Sequence, residues 1–72
     1  MKIFYERLRQ CRRERNLTQK QFAEFLGMTV RSYQRYELGD RKPDIEKLVI
    51  IANFFGVSAD YLLGLTDDPK RR

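Results

Sequence analysis

The sequence predicts an all-α domain of five short helices. Three observations lead there. Apolar residues recur at spacings of three and four in separate short stretches, the period of a helix buried along one side. The capping residues Thr18, Thr29, Asp44 and Ser58 stand in front of four of these stretches, and Asn16, Gly27, Gly39, Gly56 and Gly64 stand behind all five. No segment alternates apolar and polar residues strongly enough to be a strand.

The first helix is expected over residues 3–15. Phe4, Leu8 and Cys11 follow i, i+4, i+7 and make an apolar stripe, with Arg7, Arg9, Arg12, Arg13 and Arg15 around it, most of them solvated. Cys11 reads as a small core residue rather than a reactive thiol. Asn16 tolerates the left-handed conformation that ends a helix. Leu17–Leu38 then holds two helical patterns with a sharp break between them. Thr18 and Gln21 form a capping-box pattern, and Phe22, Ala23 and Leu26 recur at helical spacing up to Gly27. Thr29 caps the next helix, Val30 to Leu38, which Gly39 closes. A helix, a short turn with Gly and a second helix make a helix-turn-helix, the unit that lays its second helix in a DNA major groove.

Gly39 to Asp44 is a turn, with Pro43 disfavouring a helical Lys42. Asp44 caps a fourth helix, IEKLVIIANFF. Ile45, Leu48, Ile51, Ala52 and Phe55 are expected on its inner face, which Val49 widens, while Ile50 and Phe54 fall towards the other side. Ser58 caps a last short helix, ADYLL. Residues 1–66 therefore read as the helix-turn-helix domain, and 67–72 as a basic, disordered tail.

A chain of 72 residues is one domain with a small core, helped by tight helix packing or a partner. Its 42% hydrophobic content argues against disorder. No apolar run approaches a membrane span, and the N-terminus becomes charged at once, unlike a signal peptide; a cytoplasmic protein is expected. Histidine is absent and cysteine occurs once. That excludes a Ser-His or Cys-His nucleophile pair, an internal disulfide and an ordinary zinc site. With no phosphate loop and no converging carboxylate pair, neither an enzyme nor a cofactor or metal site is expected. The net charge is +5, and its positive excess lies wholly in the first 42 residues. A nucleic-acid footprint requires that distribution, although a solvated basic surface would produce it too.

On the third helix Val30, Arg31, Gln34 and Arg35 follow i, i+1, i+4, i+5 and share one face. Tyr33 and Tyr36 point the other way, into the core. The polar face suits base edges: Arg pairs with guanine, Gln with adenine, and Val30 can touch a thymine methyl. On spacing alone, a merely solvated face fits equally well.

Leu17-Thr18-Gln19, Phe22-Ala23, Leu26-Gly27, Thr29, Ser32, Arg35, Glu37-x-Gly39, Arg41-x-Pro43, Leu48, Ala52 and Gly56-Val57-Ser58 occur in order and without a gap. In that combination the chain resembles the phage-repressor and Cro-like (XRE) helix-turn-helix family over about residues 7–63. It departs from the family in having Tyr33 and Tyr36 where aliphatic residues are common, and Ile50 where a polar or charged residue is frequent. The resemblance implies a compact, lambda-repressor-like five-helix domain that regulates transcription. Such a protein, most simply a repressor, binds a palindromic double-stranded operator as a homodimer. Val30, Arg31, Gln34 and Arg35 would then contact bases, and Gln19, Thr29, Ser32, Arg41 and Lys42 phosphates. Family position also implies a structural ion pair between Arg12 and Glu37. The apolar residues near the corner of the last two helices, Ile50, Phe54, Tyr61, Leu63 and Leu65, are the expected dimer surface. The alternative is a protein-binding module on the same fold, such as an antitoxin, whose partner is a toxin or an antirepressor.

Overall fold

A computed structural model describes residues 2–71. Five helices follow one another: α1 Lys2–Glu14, α2 Gln19–Phe25, α3 Val30–Leu38, α4 Ile45–Phe55 and α5 Ala59–Leu62. There is no strand among the described residues. The starts are where the capping residues stand. Thr18, Thr29, Asp44 and Ser58 each have extended backbone, and each side chain accepts a hydrogen bond from the N–H three residues on. That bond satisfies one of the donors a helix leaves open at its first turn. At α2 the return bond is also made, from the Thr18 N–H to Gln21, completing the capping box. Among the described residues Asn16 is the one non-glycine residue with positive φ, at 56°.

The core is built from all five helices. Phe4, Leu8 and Cys11 of α1 meet Phe22, Ala23 and Leu26 at α2, Tyr33 and Tyr36 of α3, Ile51, Ala52 and Phe55 of α4, and Leu62 of α5. Phe22 is fully buried at the aromatic centre, edge-on to Tyr33 at 5.5 Å and tilted against Phe55 at 5.0 Å and Phe54 at 5.2 Å. Burial pushes the Cys11 thiol up, away from the thiolate form, which fits a core residue.

One close approach depends on a glycine. The Tyr5 ring lies where a side chain at Gly39 would begin, only 2.2 Å from the position a Cβ would take. Gly39 has a φ of 82°, so it both closes α3 and lets α1 pack onto the turn that follows it.

Three expectations change. Ile45 does not join the inner face of α4 and Val49 does not widen it; they are 80% and 48% exposed, because the first turn of the helix extends beyond the core and the buried stripe, made by Ile51, Ala52 and Phe55, faces away from Val49. Phe54 turns inward instead, half-buried, with its ring 4.5 Å from Phe25 as well as against Phe22. Two arginines in and just after α1 are bonded to the protein rather than left to solvent alone. Arg7 donates to the carbonyls of Tyr61 at 2.5 Å and Thr66 at 2.6 Å, pairs with Asp67 at 2.7 Å, and lies over the Tyr61 ring. Arg15 donates to the Phe55 carbonyl at the end of α4, where a cation meets the negative end of the helix dipole.

The segment after α5 runs back over the domain. The Ser58 N–H donates to the Pro69 carbonyl at 3.0 Å, and Arg71 donates to Asn53 at 2.6 Å. Arg72, at the end of the expected tail, lies outside the described residues, as does Met1.

Candidate nucleic-acid interface

The candidate interface is assembled from α2, the turn after it, and α3. The turn is short because Gly27 takes a φ of 71° and the Met28 N–H returns to the Ala23 carbonyl at 2.9 Å. Lys47 of α4 reaches the same corner and donates to the Leu26 carbonyl at 2.6 Å, fixing the end of α2 from below. Thr29 then starts α3. Its hydroxyl accepts from the Ser32 N–H at 3.1 Å and donates to the Ser32 hydroxyl at 3.0 Å. Of the two hydroxyls, Ser32 keeps its O–H free for another acceptor.

α3 is divided as its spacing predicts. Tyr33, Tyr36 and Glu37 are buried, and Val30, Arg31, Gln34 and Arg35 are exposed along the opposite side. The buried side is fixed by charge as well as packing. The Glu37 carboxylate receives the Arg12 guanidinium as a fork, at 2.6 and 3.0 Å, together with the Tyr33 hydroxyl and the Gln19 amide at 3.1 Å. The ion pair expected from family position is thus present. Burial works to raise the Glu37 pKa, but the bonds from Arg12, Tyr33 and Gln19 outweigh it and hold the carboxyl below its ordinary range. The bond to Glu37 raises the pKa of Arg12, and burial followed by the neighbouring carboxylate raises that of Tyr33. Arg12 also donates to the Leu17 carbonyl at 2.7 Å, so one buried charge joins α1, the approach to α2, and α3. Among the described residues, no buried side-chain nitrogen or oxygen lacks a partner.

Gln19 is half-buried at the first turn of α2, and its amide is engaged on both sides. It donates to Glu37 and accepts from Gln34 at 3.1 Å, keeping one N–H. Arg9 and Arg13 of α1, four residues apart, line a shallow cleft with Gln19, Gln34, Glu37 and Leu38. Sequence reasoning passed over these two arginines as solvated charge; their i, i+4 spacing on the side of α1 next to Arg12 was the available signal. On the other flank, Arg41 lies 5.7 Å from the Tyr36 ring, and both Arg41 and Lys42 are exposed. Arg35 meets Asp40 at 3.5 Å, with both side chains about half exposed.

The five residues of the expected dimer surface are not alike. Ile50 and Leu65 are exposed, at 41% and 74%. Phe54 belongs to the aromatic cluster, Tyr61 lies beneath Arg7, and Leu63 lines an apolar recess with Phe4, Tyr5 and Leu48. Ile45 and Val49, two further exposed apolar residues, share α4 with Ile50. Among the described residues no helix is long and apolar enough to cross a membrane, and no cluster of His, Cys, Asp or Glu could hold a metal ion.

Five helices, four of them capped, with a basic outer face on the third and a buried charge fixing its inner face, define a helix-turn-helix nucleic-acid-binding domain. Residues 8–62 match the Helix-turn-helix family. The chain is 49% identical over 67 residues to an uncharacterized HTH-type transcriptional regulator, YobD, of Bacillus subtilis, a match covering 93% of this chain and 60% of that protein. It is 43% identical to YonR, an SPbeta prophage-derived uncharacterized HTH-type transcriptional regulator of the same organism, over 85% of this chain and 56% of the relative. The cryptic phage CTXphi transcriptional repressor RstR of Vibrio cholerae is 42% identical over 82% of this chain and 53% of its own length. No solved structure matches the chain significantly. The chain spans between half and about 60% of the length of these relatives. It belongs to the phage-repressor and Cro-like helix-turn-helix family, whose named relatives are transcriptional regulators rather than enzymes.

Proposed function

We propose that this protein is a sequence-specific double-stranded DNA-binding transcriptional regulator, a repressor that occupies a palindromic operator as a homodimer. The observation that carries this reading is the division of α3, whose tyrosines and glutamate are buried while Arg31, Gln34 and Arg35 stand out beside further basic side chains. α3 enters the major groove. Val30, Arg31, Gln34 and Arg35 meet base edges, with at least one guanine read by Arg31 or Arg35. Gln19, Ser32, Arg41 and Lys42 hold phosphates and set the register, joined by Arg9 and Arg13, while Thr29 orients the Ser32 hydroxyl. Residues 1–66 are the DNA-binding unit. Two-fold recognition places half-sites about 34 Å apart, so two copies must meet, with Ile50 and Leu65 as the exposed members of the dimer surface.

Random-site selection with the purified protein tests the whole reading, since it returns base preference, symmetry and half-site spacing together. A two-fold symmetric site whose preference survives about 150 mM salt is expected. Arg31→Ala or Arg35→Ala should cost roughly 1–3 kcal/mol and relax one base pair. Binding that fades with salt and shows no preferred sequence would reject the reading.

A further inference from the structure

We propose that Gln19 is a positioning residue for specificity: anchored on Glu37, it holds the Gln34 amide in one orientation, so that α3 favours an A·T over a G·C pair opposite Gln34. The proposal rests on the reading of α3 as the base-reading helix and adds which amide face that helix offers.

The argument begins at the buried end. An ionised carboxylate can only accept. The Oε1 of Glu37 accepts from Arg12 and from Gln19, and its Oε2 accepts from Arg12 and from Tyr33. Both oxygens are thereby occupied from three helices, and the carboxylate cannot turn. Gln19 must therefore direct its NH2 inward, and its carbonyl oxygen outward. A reversed Gln19 amide would set oxygen against a buried negative charge.

The same logic carries one step further. The outward oxygen of Gln19 can only accept, and Gln34 meets it with its amide nitrogen at 3.1 Å. A reversed Gln34 would bring two carbonyl oxygens together at that distance. An exposed glutamine normally samples both amide orientations; this one is restricted by a chain that starts at a carboxylate 3% exposed. With one N–H spent on Gln19, Gln34 retains one N–H and its carbonyl oxygen. Adenine presents a donor at N6 beside an acceptor at N7, which matches that pair. Guanine presents two acceptors, O6 and N7, and would face the carbonyl oxygen with one of them.

A phosphate contact from the remaining N–H of Gln19 acts on all sequences alike, so the two roles are separable. The test uses the full chain and the duplex returned by random-site selection, with each of the four base pairs placed in turn at every position. Wild type, Gln19→Leu, Gln34→Ala and the double variant are compared. Wild type should prefer A·T at one position by about 5- to 150-fold, the range of a bidentate contact. Gln34→Ala should abolish that preference. Gln19→Leu should reduce it to within about threefold while leaving the other positions nearly unchanged, and the double variant should match Gln34→Ala there. If Gln19→Leu weakens every sequence equally and keeps the A·T preference, the inference is overturned and the functional reading survives. If wild type selects no sequence, both fall. The free protein provides a check that needs no DNA. The side-chain amide protons of Gln34 should differ from those of a solvated glutamine by NMR and revert to them in Gln19→Leu; identical spectra for that amide would overturn the tether itself.

Discussion

α3 takes part in two ion pairs, and they differ in almost everything but charge. Glu37 meets Arg12 through a two-point fork at 2.6 and 3.0 Å, with side chains 4% and 9% exposed. Arg35 meets Asp40 through a single contact at 3.5 Å, with side chains 52% and 51% exposed. The first pair lies on the inner face and has every neighbouring lone pair occupied. The second lies on the outer face and competes with water. A helix that reads a groove, as proposed for α3, needs both kinds of contact: one that cannot be given up, so the helix is held at a fixed angle, and one that can, so a guanidinium is free to leave for a base or a phosphate.

The largest expected effect breaks the inner pair. Glu37→Ala leaves the Arg12 guanidinium buried without its partner and removes the acceptor of Tyr33 and Gln19. The loss should be about 3–5 kcal/mol, a large part of the stability of so small a domain. Thermal unfolding should show a Tm lower by more than about 10 °C, and DNA affinity should fall with it. Wild-type melting together with wild-type affinity would show that the inner pair holds nothing.

A second prediction sharpens the same contrast through pH. The Glu37 carboxyl is held below its ordinary value of 4.5, so the folded state binds its proton less readily than the unfolded chain does. Its contribution is therefore complete above that value and is lost as pH falls through the lower, folded one. The stability gap between wild type and Glu37→Gln should be widest above about pH 5 and narrow below about pH 4. Urea titrations at several pH values measure it; a gap that stays constant through the acid range would contradict the assigned charge state.

The two pairs also differ in how far the sequence revealed them. Arg12 and Glu37 are 25 residues apart, and only resemblance to a family joined them; no local rule does so. Local chemistry was legible. The caps at Thr18, Thr29, Asp44 and Ser58 depend on residues three apart, and the split of α3 depends on a period of 3.6. What escaped depends on what lies across the gap. Periodicity gives a direction around the helix axis but not whether another helix waits there, so Ile45 was expected inside and Phe54 outside. Long cations escaped for a related reason. Arg7, Arg15 and Lys47 end on carbonyls at 2.5–3.1 Å that sit at other helix ends or on the chain beyond them, and a flexible side chain carries no sign of its destination. At the candidate site, the charge and its face were readable, whereas the bonds through Gln19 were not, because each of them joins two helices.

The smallest expected effect breaks the outer pair. An exposed pair with one long contact contributes between nothing and about 1 kcal/mol, so Asp40→Ala should move the Tm by less than about 8 °C. Its effect on DNA should have the opposite sign to that of Glu37→Ala. Removing Asp40 releases the Arg35 guanidinium from a competing carboxylate and takes a negative charge away from the face proposed to meet phosphates. Affinity should rise about two- to fivefold at low salt, and the gain should shrink as salt screens the charge. Titration of the selected operator at two salt concentrations measures both. Weaker binding by Asp40→Ala would mean that Asp40 holds Arg35 in its reading position, and the contrast between a fixed inner contact and a releasable outer one would then fail on the outer side.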